Sequence, residues 1–363
     1  MRTNHIIFFE ASQHMSAVKD TSVDLVVTSP PYPMIGMWDD ILSCQNPVIA
    51  ETLKDGKPKE AFELMHKELD KVWDECYRVL KDGSFLCINI GDATRTVNGD
   101  FRLYNNHSRI ISHCLQLGFT NLPNIIWHKA TNAPNKFMGS GMLPCGAYVT
   151  LEHEYILIFR KGGKRMYKAE DMKRQRRQSS FFWEERNAWF SDIWELRGAK
   201  QKISNSDSRE RSAAYPIEIP YRLINMYSQA EDVVLDPFYG LGTTGQAAML
   251  LGRNSFGFEI DCKLRKSIEE NISSFKIEGA NRLLKARLDK HLEFIAEYTS
   301  RKGAVKHNNN YLNCGVITGQ EEDLEIHYLQ SITKSNDSPL EYECLYEGQS
   351  DLTQLPKSSN ILF

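Results

Sequence analysis

The sequence lacks any apolar segment long enough to cross a membrane. None of its 363 residues belongs to an apolar run near the roughly 20 residues that a membrane-spanning helix needs. Near the N-terminus only Ile6–Phe9 and its neighbours form an apolar stretch, which is shorter than the core of a secretory signal peptide. We therefore expect a cytoplasmic protein with no membrane partner.

Metal-binding patterns are also missing. The eight cysteines are scattered, none forms a C-x-x-C pair, and no histidine pair has zinc-finger spacing. We therefore predict reduced thiols and no metal site. A content of 41% hydrophobic and 25% charged residues excludes a wholly disordered or fibrous chain.

The chain has no overall positive charge, since 44 Lys+Arg stand against 47 Asp+Glu. The charge is uneven, however: residues 303–363 hold nine acidic and three basic residues, a net of −6. Arg160–Arg177 holds nine basic and two acidic residues, and we call this segment the basic stripe. Such a stripe can bind a polyanion, although it can equally be a solvated face. The candidate phosphate contacts are Arg160, Lys161, Lys164, Arg165, Lys168, Lys173, Arg174, Arg176 and Arg177.

Apolar periodicity predicts strands that alternate with helices. The predicted strands are Val23–Val27, Ser84–Ile90, Asn124–Trp127, Glu154–Phe159, Val233–Leu235 and Ser255–Ile260. The predicted helices are Phe62–Leu80, Arg109–Leu117, Pro220–Met226, Thr243–Leu251 and Arg282–Tyr298. This alternation indicates an α/β fold with a mostly parallel sheet and helices on both faces.

The periodicity is lost over residues 131–213, which contain the basic stripe and a cluster of Trp and Phe residues. We predict an inserted region there, between a part at 1–130 and a part at 214–302. The Trp and Phe cluster is typical of a small core. Residues 303–363 read as an irregular acidic extension.

One motif leaves a strand and enters a helix. Asp236-Pro237-Phe238-Tyr239-Gly240-Leu241-Gly242-Thr243-Thr244 has two glycines that allow a close approach of backbone to ligand. The helix start offers free N–H groups to an anionic group. About 20 residues later, Glu259 follows the next strand, where a carboxylate can bind a ribose diol. The pattern indicates a nucleotide-type site, and a simple tight turn is the alternative.

A second motif follows the first strand, at Thr28-Ser29-Pro30-Pro31-Tyr32. The Ser hydroxyl and a rigidly held prolyl carbonyl are two fixed acceptors, and Tyr32 offers a flat ring for stacking. These groups suit recognition of the exocyclic amino group of a planar base. A proline-rich turn with a buried tyrosine is the alternative.

The two motifs together resemble those of the amino-methylating DNA methyltransferases. Ser29–Tyr32 matches their (D/N/S)-P-P-(Y/F) motif, and Asp236–Thr244 matches D-P-F-x-G-x-G-T-T. Further matches are Glu75–Gly83, Ile125–Lys129 and Pro216–Ile224. The catalytic motif precedes the cofactor motif, which resembles the circularly permuted β group.

The resemblance implies a Rossmann-like fold, S-adenosylmethionine as cofactor and target recognition by residues 131–213. It assigns Ser29, Pro30, Pro31 and Tyr32 to catalysis, with Tyr32 stacking on a flipped-out base. It assigns to the cofactor Thr28, Asp236, Pro237, Phe238, Gly240, Gly242, Thr243, Thr244 and Glu259. Double-stranded DNA is the implied partner, with a cognate restriction enzyme acting on the same site. We expect a monomer or homodimer.

Ser29 favours cytosine N4 over adenine N6 as the target, because S-P-P-Y accompanies cytosine in this family. Adenine N6, RNA methylation and a non-catalytic nucleic-acid-binding protein stay open as alternatives. Pro144-Cys145 resembles the nucleophile of cytosine C5 methyltransferases, but it precedes the cofactor motif and no Glu-Asn-Val follows. We therefore read Cys145 as part of a loop.

Overall fold

The computed structural model describes residues 1–129, 138–198 and 215–347. Its strands are β1 (Arg2–Phe8), β2 (Val23–Thr28), β3 (Leu80–Ile90), β4 (Ala93–Val97), β5 (Asp100–Tyr104), β6 (Phe119–Asn121), β7 (Ile125–His128), β8 (Met138–Gly139), β9 (Ala147–Tyr148), β10 (His153–Lys161), β11 (Ile193–Glu195), β12 (Val233–Asp236), β13 (Asn254–Phe258), β14 (His307–Asn308), β15 (Gly315–Val316), β16 (Tyr328–Asp337) and β17 (Leu340–Glu347). Its helices are α1 (Asp39–Gln45), α2 (Val48–Lys54), α3 (Pro58–Val79), α4 (Asn106–Gln116), α5 (Glu170–Gln178), α6 (Trp183–Trp189), α7 (Glu218–Tyr227), α8 (Thr243–Leu250), α9 (Arg265–Ser274) and α10 (Ile277–Lys302).

One large sheet runs through the molecule. Within the described ranges its order is β11-β7-β10-β3-β2-β12-β13-β1-β17-β16, with β6 beside β10. The five central strands, from β3 to β1, run parallel. Strands β10 and β17 run antiparallel to their inner neighbours, so the sheet is mixed. The predicted Rossmann-like α/β fold is confirmed, with a parallel centre and antiparallel flanks.

The central strands are apolar because both of their faces are covered. All six residues of β2 are buried, and most are β-branched. Helix α3 packs on one face through Leu69, Val72 and Trp73. Helices α7, α8 and α10 pack on the other face through Ile224, Ala248 and Leu284, among others. The predicted helices on both sides of the sheet are therefore present.

Strands β2 and β12 are neighbours, although some 200 residues separate them. This adjacency brings the end of the early Ser29–Tyr32 motif beside the late Asp236–Thr244 motif. The permuted chain order is thereby compatible with one shared crevice.

The predicted insertion and the C-terminal extension both contribute strands to the central sheet, which the sequence did not predict. Strands β10 and β11 lie in the predicted insertion but belong to the central sheet. The Trp and Phe residues of the insertion join the main core through Phe182, Trp189 and Trp194. The prediction of an irregular extension after residue 303 was wrong, because β16 and β17 continue the sheet beyond β1. Alternate residues of β17 are buried, which is the period expected of a strand.

No helix in the described parts of the chain is both long and apolar enough to span a membrane.

Candidate active site

The carboxyl ends of β2 and β12 lie side by side and unite the two predicted motifs. Thr28 ends β2 and Asp236 ends β12. Thr28 Oγ1 donates a 2.6 Å hydrogen bond to Asp236 Oδ1, and Phe238 N donates to the same oxygen at 3.1 Å. Open α/β sheets bind ligands in a crevice at this edge.

The loop from β12 to α8 depends on two glycines. Gly240 and Gly242 have φ values of 52° and 86°, in the left-handed region that favours glycine. Gly242 is the N-cap of α8, so Thr243 and Thr244 stand in its first turn. Backbone N–H groups in a first helical turn are available to an anionic ligand.

The ring of Tyr239 fixes this loop against β13. Tyr239 N donates to Phe258 O at 2.8 Å. A side chain at Gly257 would overlap the Tyr239 ring, so the close approach requires glycine. Thr244 Oγ1 donates to Val27 O at 3.3 Å, which ties the start of α8 to β2. The loop is thereby held before any ligand binds.

Two further members of the motif complete the wall of the crevice. Pro237 is buried, and Phe238 is half-buried. The Phe238 ring lies edge-on to Trp73 of α3, with 5.9 Å between the ring centroids. Helix α3 therefore supports the loop from behind.

Glu259 lies one residue beyond β13 and faces the glycine loop. Its Oε2 accepts from Gly240 N and its Oε1 from Asp261 N, both at 2.8 Å. A carboxylate has about four acceptor sites, so two remain for the hydroxyl groups of the predicted ligand. Burial raises the pKa of Glu259 to about 7 and the pKa of Asp236 to about 6.

The S-P-P-Y motif begins directly after β2. Ser29 is half-buried, whereas Pro30, Pro31 and Tyr32 are buried. The Tyr32 side chain is 7% exposed and packs against Gly91, where a Cβ would lie 3.0 Å from Tyr32 Cε2. Stacking of Tyr32 on a base stays a prediction.

Two residues to which the sequence assigned no role, Asn89 and Glu154, contact the Tyr32 hydroxyl. Tyr32 Oη donates to Glu154 Oε2 at 2.9 Å. Asn89 Nδ2 donates to Tyr32 Oη at 2.8 Å and to Glu154 Oε2 at 2.7 Å. The Lys129 ammonium forms an ion pair with Glu154 Oε1. The motif is therefore connected to an ion pair between the buried Glu154 carboxylate and the half-exposed Lys129 ammonium.

Polar residues at strand ends were the signal for this network. Asn89 is the polar residue near the carboxyl end of the apolar strand β3. Glu154 is the second residue of the apolar strand β10, which pairs antiparallel with β3 and so starts at the same edge. Only the pairing of the strands shows that Glu154 reaches Tyr32, because 122 positions separate them.

The basic stripe lies at the opposite edge of the sheet. Because β10 is antiparallel to β3, it carries the chain from Glu154 at the crevice to Lys161 at the amino ends of the parallel strands. Arg165 lies there and forms ion pairs with Asp232, just before β12, and with Asp24, near the start of β2. A six-residue strand spans roughly 20 Å, so the stripe begins about that far from the crevice.

Several predicted phosphate contacts are engaged within the protein. Lys161 is 8% exposed, and its ammonium donates to Tyr77 O at 2.6 Å and Leu80 O at 2.8 Å. Burial and these two hydrogen bonds to main-chain carbonyls argue against its predicted contact with a DNA phosphate. Arg177 pairs with Asp323 and Lys173 with Glu170.

The other stripe residues differ in exposure. Lys164, Lys168, Arg174 and Arg176 are exposed, and Arg160 is half-buried. The Arg176 guanidinium lies 4.4 Å from the centroid of the Tyr167 ring. These side chains can meet a polyanion, but at the edge away from the crevice.

Cys145 is an exposed, free cysteine in the turn between β8 and β9, as expected of a loop residue. In the described ranges, no group of three or more His, Cys, Asp or Glu side chains could hold a metal ion.

Comparison with known proteins identifies the family. The family model described as DNA methylase, of the N6/N4 type, matches residues 23–270. The type II methyltransferase M.MthZI of Methanothermobacter thermautotrophicus is 48% identical over 363 residues, covering 99% of this chain and 100% of that protein.

Solved structures agree with this likeness. TTHA0409 of Thermus thermophilus, crystallised with S-adenosyl-L-methionine, is 32% identical with a TM-score of 0.57, covering 75% of this chain and 95% of its own. The cytosine-N4-specific PvuII DNA methyltransferase shares the fold, with 16% identity, a TM-score of 0.50 and coverage of 78% and 93%. The chain belongs to the DNA methylase family, as a type II DNA methyltransferase of the N6/N4 class.

Proposed function

We propose that this chain transfers a methyl group from S-adenosylmethionine to the N4 amino group of cytosine in duplex DNA. The observation that carries the proposal is Ser29, a hydroxyl residue at the first motif position, placed beside the Asp236 crevice. In a type II restriction–modification system, this methylation protects host DNA from a cognate restriction enzyme.

The described crevice fits the cofactor. The start of α8 would hold its carboxylate, the remaining acceptor sites of Glu259 would bind its ribose, and Asp236 and Phe238 would line the methionine part. The bound cofactor supplies a methyl group on a positively charged sulfur. Glu259 and Asp236 are fixed by backbone N–H groups, so their acceptor oxygens are oriented in advance.

Ser29 and Pro30 activate the target by accepting hydrogen bonds. The lone pair of an exocyclic amino group is delocalised into the ring, which makes the nitrogen a poor nucleophile. Acceptors at Ser29 Oγ and the Pro30 carbonyl draw the N–H bonds out of the ring plane and localise that lone pair. Positioning and electrostatics then account for catalysis, without a covalent enzyme intermediate. The base must leave the duplex, at a cost of a few kcal/mol.

One described segment of the predicted target-recognition region, the β8–β9 hairpin, carries exposed apolar side chains. The Tyr148 ring stacks on Phe101 of β5 at 4.7 Å, which holds the hairpin against the β4–β5 hairpin that follows β3. Met142 and Val149 are 85% and 88% exposed. Exposed apolar side chains beside a base-flipping site serve as wedges between base pairs. This hairpin, rather than the basic stripe, contacts DNA next to the target.

Methyl transfer from labelled S-adenosylmethionine tests the proposal. Mixed-sequence duplex DNA and duplex RNA are incubated with wild type and with Ser29→Ala, then digested to nucleosides. The proposal expects label in N4-methylcytosine from DNA, and a loss of roughly 10²-fold or more in the variant. Label in N6-methyladenine would establish the adenine alternative, and label in RNA would refute DNA as the substrate.

Failure to bind the cofactor would favour the non-catalytic alternative. Titration of S-adenosylmethionine into the protein by calorimetry separates the cases, with Asp236→Ala as the variant expected to bind more weakly. Wild-type binding without transfer would contradict the proposed catalytic role of Ser29–Tyr32.

A further inference from the structure

A line of hydroxyl and carboxylate groups leads from the catalytic serine into the protein. Ser29 Oγ lies 3.2 Å from Tyr32 Oη, and Tyr32 Oη donates to Glu154 Oε2 at 2.9 Å. Glu154 is 9% exposed, and the Lys129 ammonium binds its other oxygen. The catalytic role given to Ser29 and Tyr32 above does not account for this carboxylate.

The hydrogen bonds along the line Ser29–Tyr32–Glu154 have only one consistent assignment of donors and acceptors. A tyrosine hydroxyl has a single hydrogen, and that of Tyr32 is donated to Glu154. Between Ser29 and Tyr32, the serine must therefore be the donor. The lone pairs of Ser29 Oγ then face away from Tyr32, with Asn89 Nδ2 at 3.4 Å as one further contact. Ser29 is left with acceptor capacity for an incoming amino N–H.

We propose that Glu154 acts through Tyr32 on Ser29 in two ways: it orients the serine hydroxyl as an acceptor, and it receives the proton that the target nitrogen loses. This inference rests on the proposed function, since it requires transfer to an exocyclic amino group. Glu154 is a positioning residue and the terminal proton acceptor of the line Ser29–Tyr32–Glu154.

The proton balance is complete with groups on the protein. The amino nitrogen forms a bond to the methyl carbon, the carbon–sulfur bond breaks with its electron pair going to sulfur, and the nitrogen becomes positively charged. One N–H proton passes to Ser29 Oγ while the serine proton passes to Tyr32 Oη. The tyrosine proton passes to Glu154 Oε2, which ends as a neutral carboxyl. Water takes that proton when the product has left.

Three features of the surroundings support this arrangement of donors and acceptors. Burial and the nearby Glu154 carboxylate hold the pKa of Tyr32 well above its ordinary value, so Tyr32 stays a donor. The Lys129 ammonium contacts Glu154 Oε1 and leaves Oε2 to Tyr32 and Asn89. Gly91 allows this packing, because a Cβ there would lie 3.2 Å from Glu154 Cγ and 3.0 Å from the Tyr32 ring.

Two variants separate proton acceptance from simple packing. Tyr32→Phe keeps the ring and removes the hydroxyl, which interrupts the line. The double variant Lys129→Met/Glu154→Gln keeps an uncharged acceptor for Tyr32 and leaves no ammonium without its partner carboxylate, but its amide cannot accept a proton. Glu152→Gln, at an exposed carboxylate two residues away, is the matched control. All are measured as full-length protein.

The measurement is the single-turnover rate of methyl transfer, with the cofactor dissociation constant determined alongside. We expect both test variants to be roughly 10²-fold slower, with cofactor affinity within twofold of wild type and the control at the wild-type rate. The triple variant that combines Tyr32→Phe with Lys129→Met/Glu154→Gln should be no slower than the slower of these two variants, because both interrupt the same line of hydrogen bonds. Wild-type rates in Tyr32→Phe and in the double variant would overturn the inference.

The outcome is independent of base identity. If wild type forms N6-methyladenine, the proposed function is wrong only in the identity of the target base. The same variants then still test whether Ser29–Tyr32–Glu154 accepts the proton from the adenine amino group. If wild type forms N4-methylcytosine and the variants are unaffected, only the present inference fails.

Discussion

Cofactor binding should weaken as the pH falls, through the titration of Glu259. Burial raises the pKa of Glu259 to about 7. In the proposed site its ionised form accepts hydrogen bonds from the ribose hydroxyls. At pH 8 roughly nine tenths of this carboxyl is ionised and at pH 6 roughly one eleventh, so the dissociation constant should rise about tenfold, or about 1.4 kcal/mol. Isothermal titration calorimetry with S-adenosylmethionine at pH 6, 7 and 8 measures the change.

The control is Glu259→Gln, which retains Asp236 and every titrating group of the cofactor. Asp236 has a pKa of about 6 and titrates in the same window, so the difference between wild type and variant isolates Glu259. The variant should bind more weakly at pH 8 and vary less with pH. Equal pH dependence in the two proteins would refute the assignment of Glu259 to the ribose.

The Glu259 carboxyl should make the folded chain less stable as the pH rises, which is the opposite of its effect on cofactor binding. The pKa of Glu259 is raised from 4.5 to about 7 on folding, so the cofactor-free folded chain binds more protons than the unfolded chain. Its free energy of unfolding should therefore fall as the pH rises from below 4.5 through 7, by roughly 3 kcal/mol from this group. Urea unfolding at pH 5 and pH 8 should show a smaller change in Glu259→Gln, and a larger change there would contradict the burial argument.

Other perturbations test the placement of single residues. Gly257→Ala should destabilise the chain by about 3 kcal/mol and weaken cofactor binding, because the added methyl overlaps the Tyr239 ring; unchanged thermal unfolding would contradict this packing. Lys161→Met should cost about 2 kcal/mol by leaving two carbonyls unpaired, whereas the exposed control Lys164→Met should be neutral; equal melting temperatures would oppose the structural role. Arg176→Glu should leave the salt dependence of duplex binding unchanged, since Arg176 belongs to the basic stripe at the edge away from the crevice. A slope of log binding constant against log salt concentration that is smaller by about 1 would instead show that the basic stripe contacts DNA.

The crevice was predictable because both of its motifs stand at strand ends. A polar segment directly after an apolar parallel strand must lie at the carboxyl edge, whichever strand it follows. Thr28 and Asp236 therefore met as expected once β2 and β12 became neighbours. The sequence alone did not predict that β2 and β12 are neighbours in the sheet.

Strand direction explains what was missed. The segment from Glu154 to Lys161 reads as one apolar strand with a charge at each end, and nothing local indicates which end faces the crevice. The antiparallel pairing of β10 with β3 places Glu154 at the site and the basic stripe about 20 Å away. Charge clustering alone favoured the basic stripe as the DNA-binding surface. The pairing of β10 with β3 instead places the stripe at the edge of the sheet opposite the crevice.

The hairpin of β16 and β17 was overlooked for a different reason. In β17 the buried Leu340, Tyr342, Cys344 and Tyr346 alternate with more exposed residues, as is typical of a strand, but the acidic composition of the segment masked this pattern. The hairpin pairs with β1, so an early and a late segment of the chain share one edge of the sheet.

The measurement that tests the central claim most directly is nucleoside mass spectrometry of genomic DNA from a host that lacks its own amino-methyltransferases and expresses this chain. The account predicts N4-methylcytosine with the wild-type chain and a far lower level with Ser29→Ala. N6-methyladenine in place of N4-methylcytosine, or equal amounts of N4-methylcytosine with and without the Ser29 hydroxyl, would contradict it.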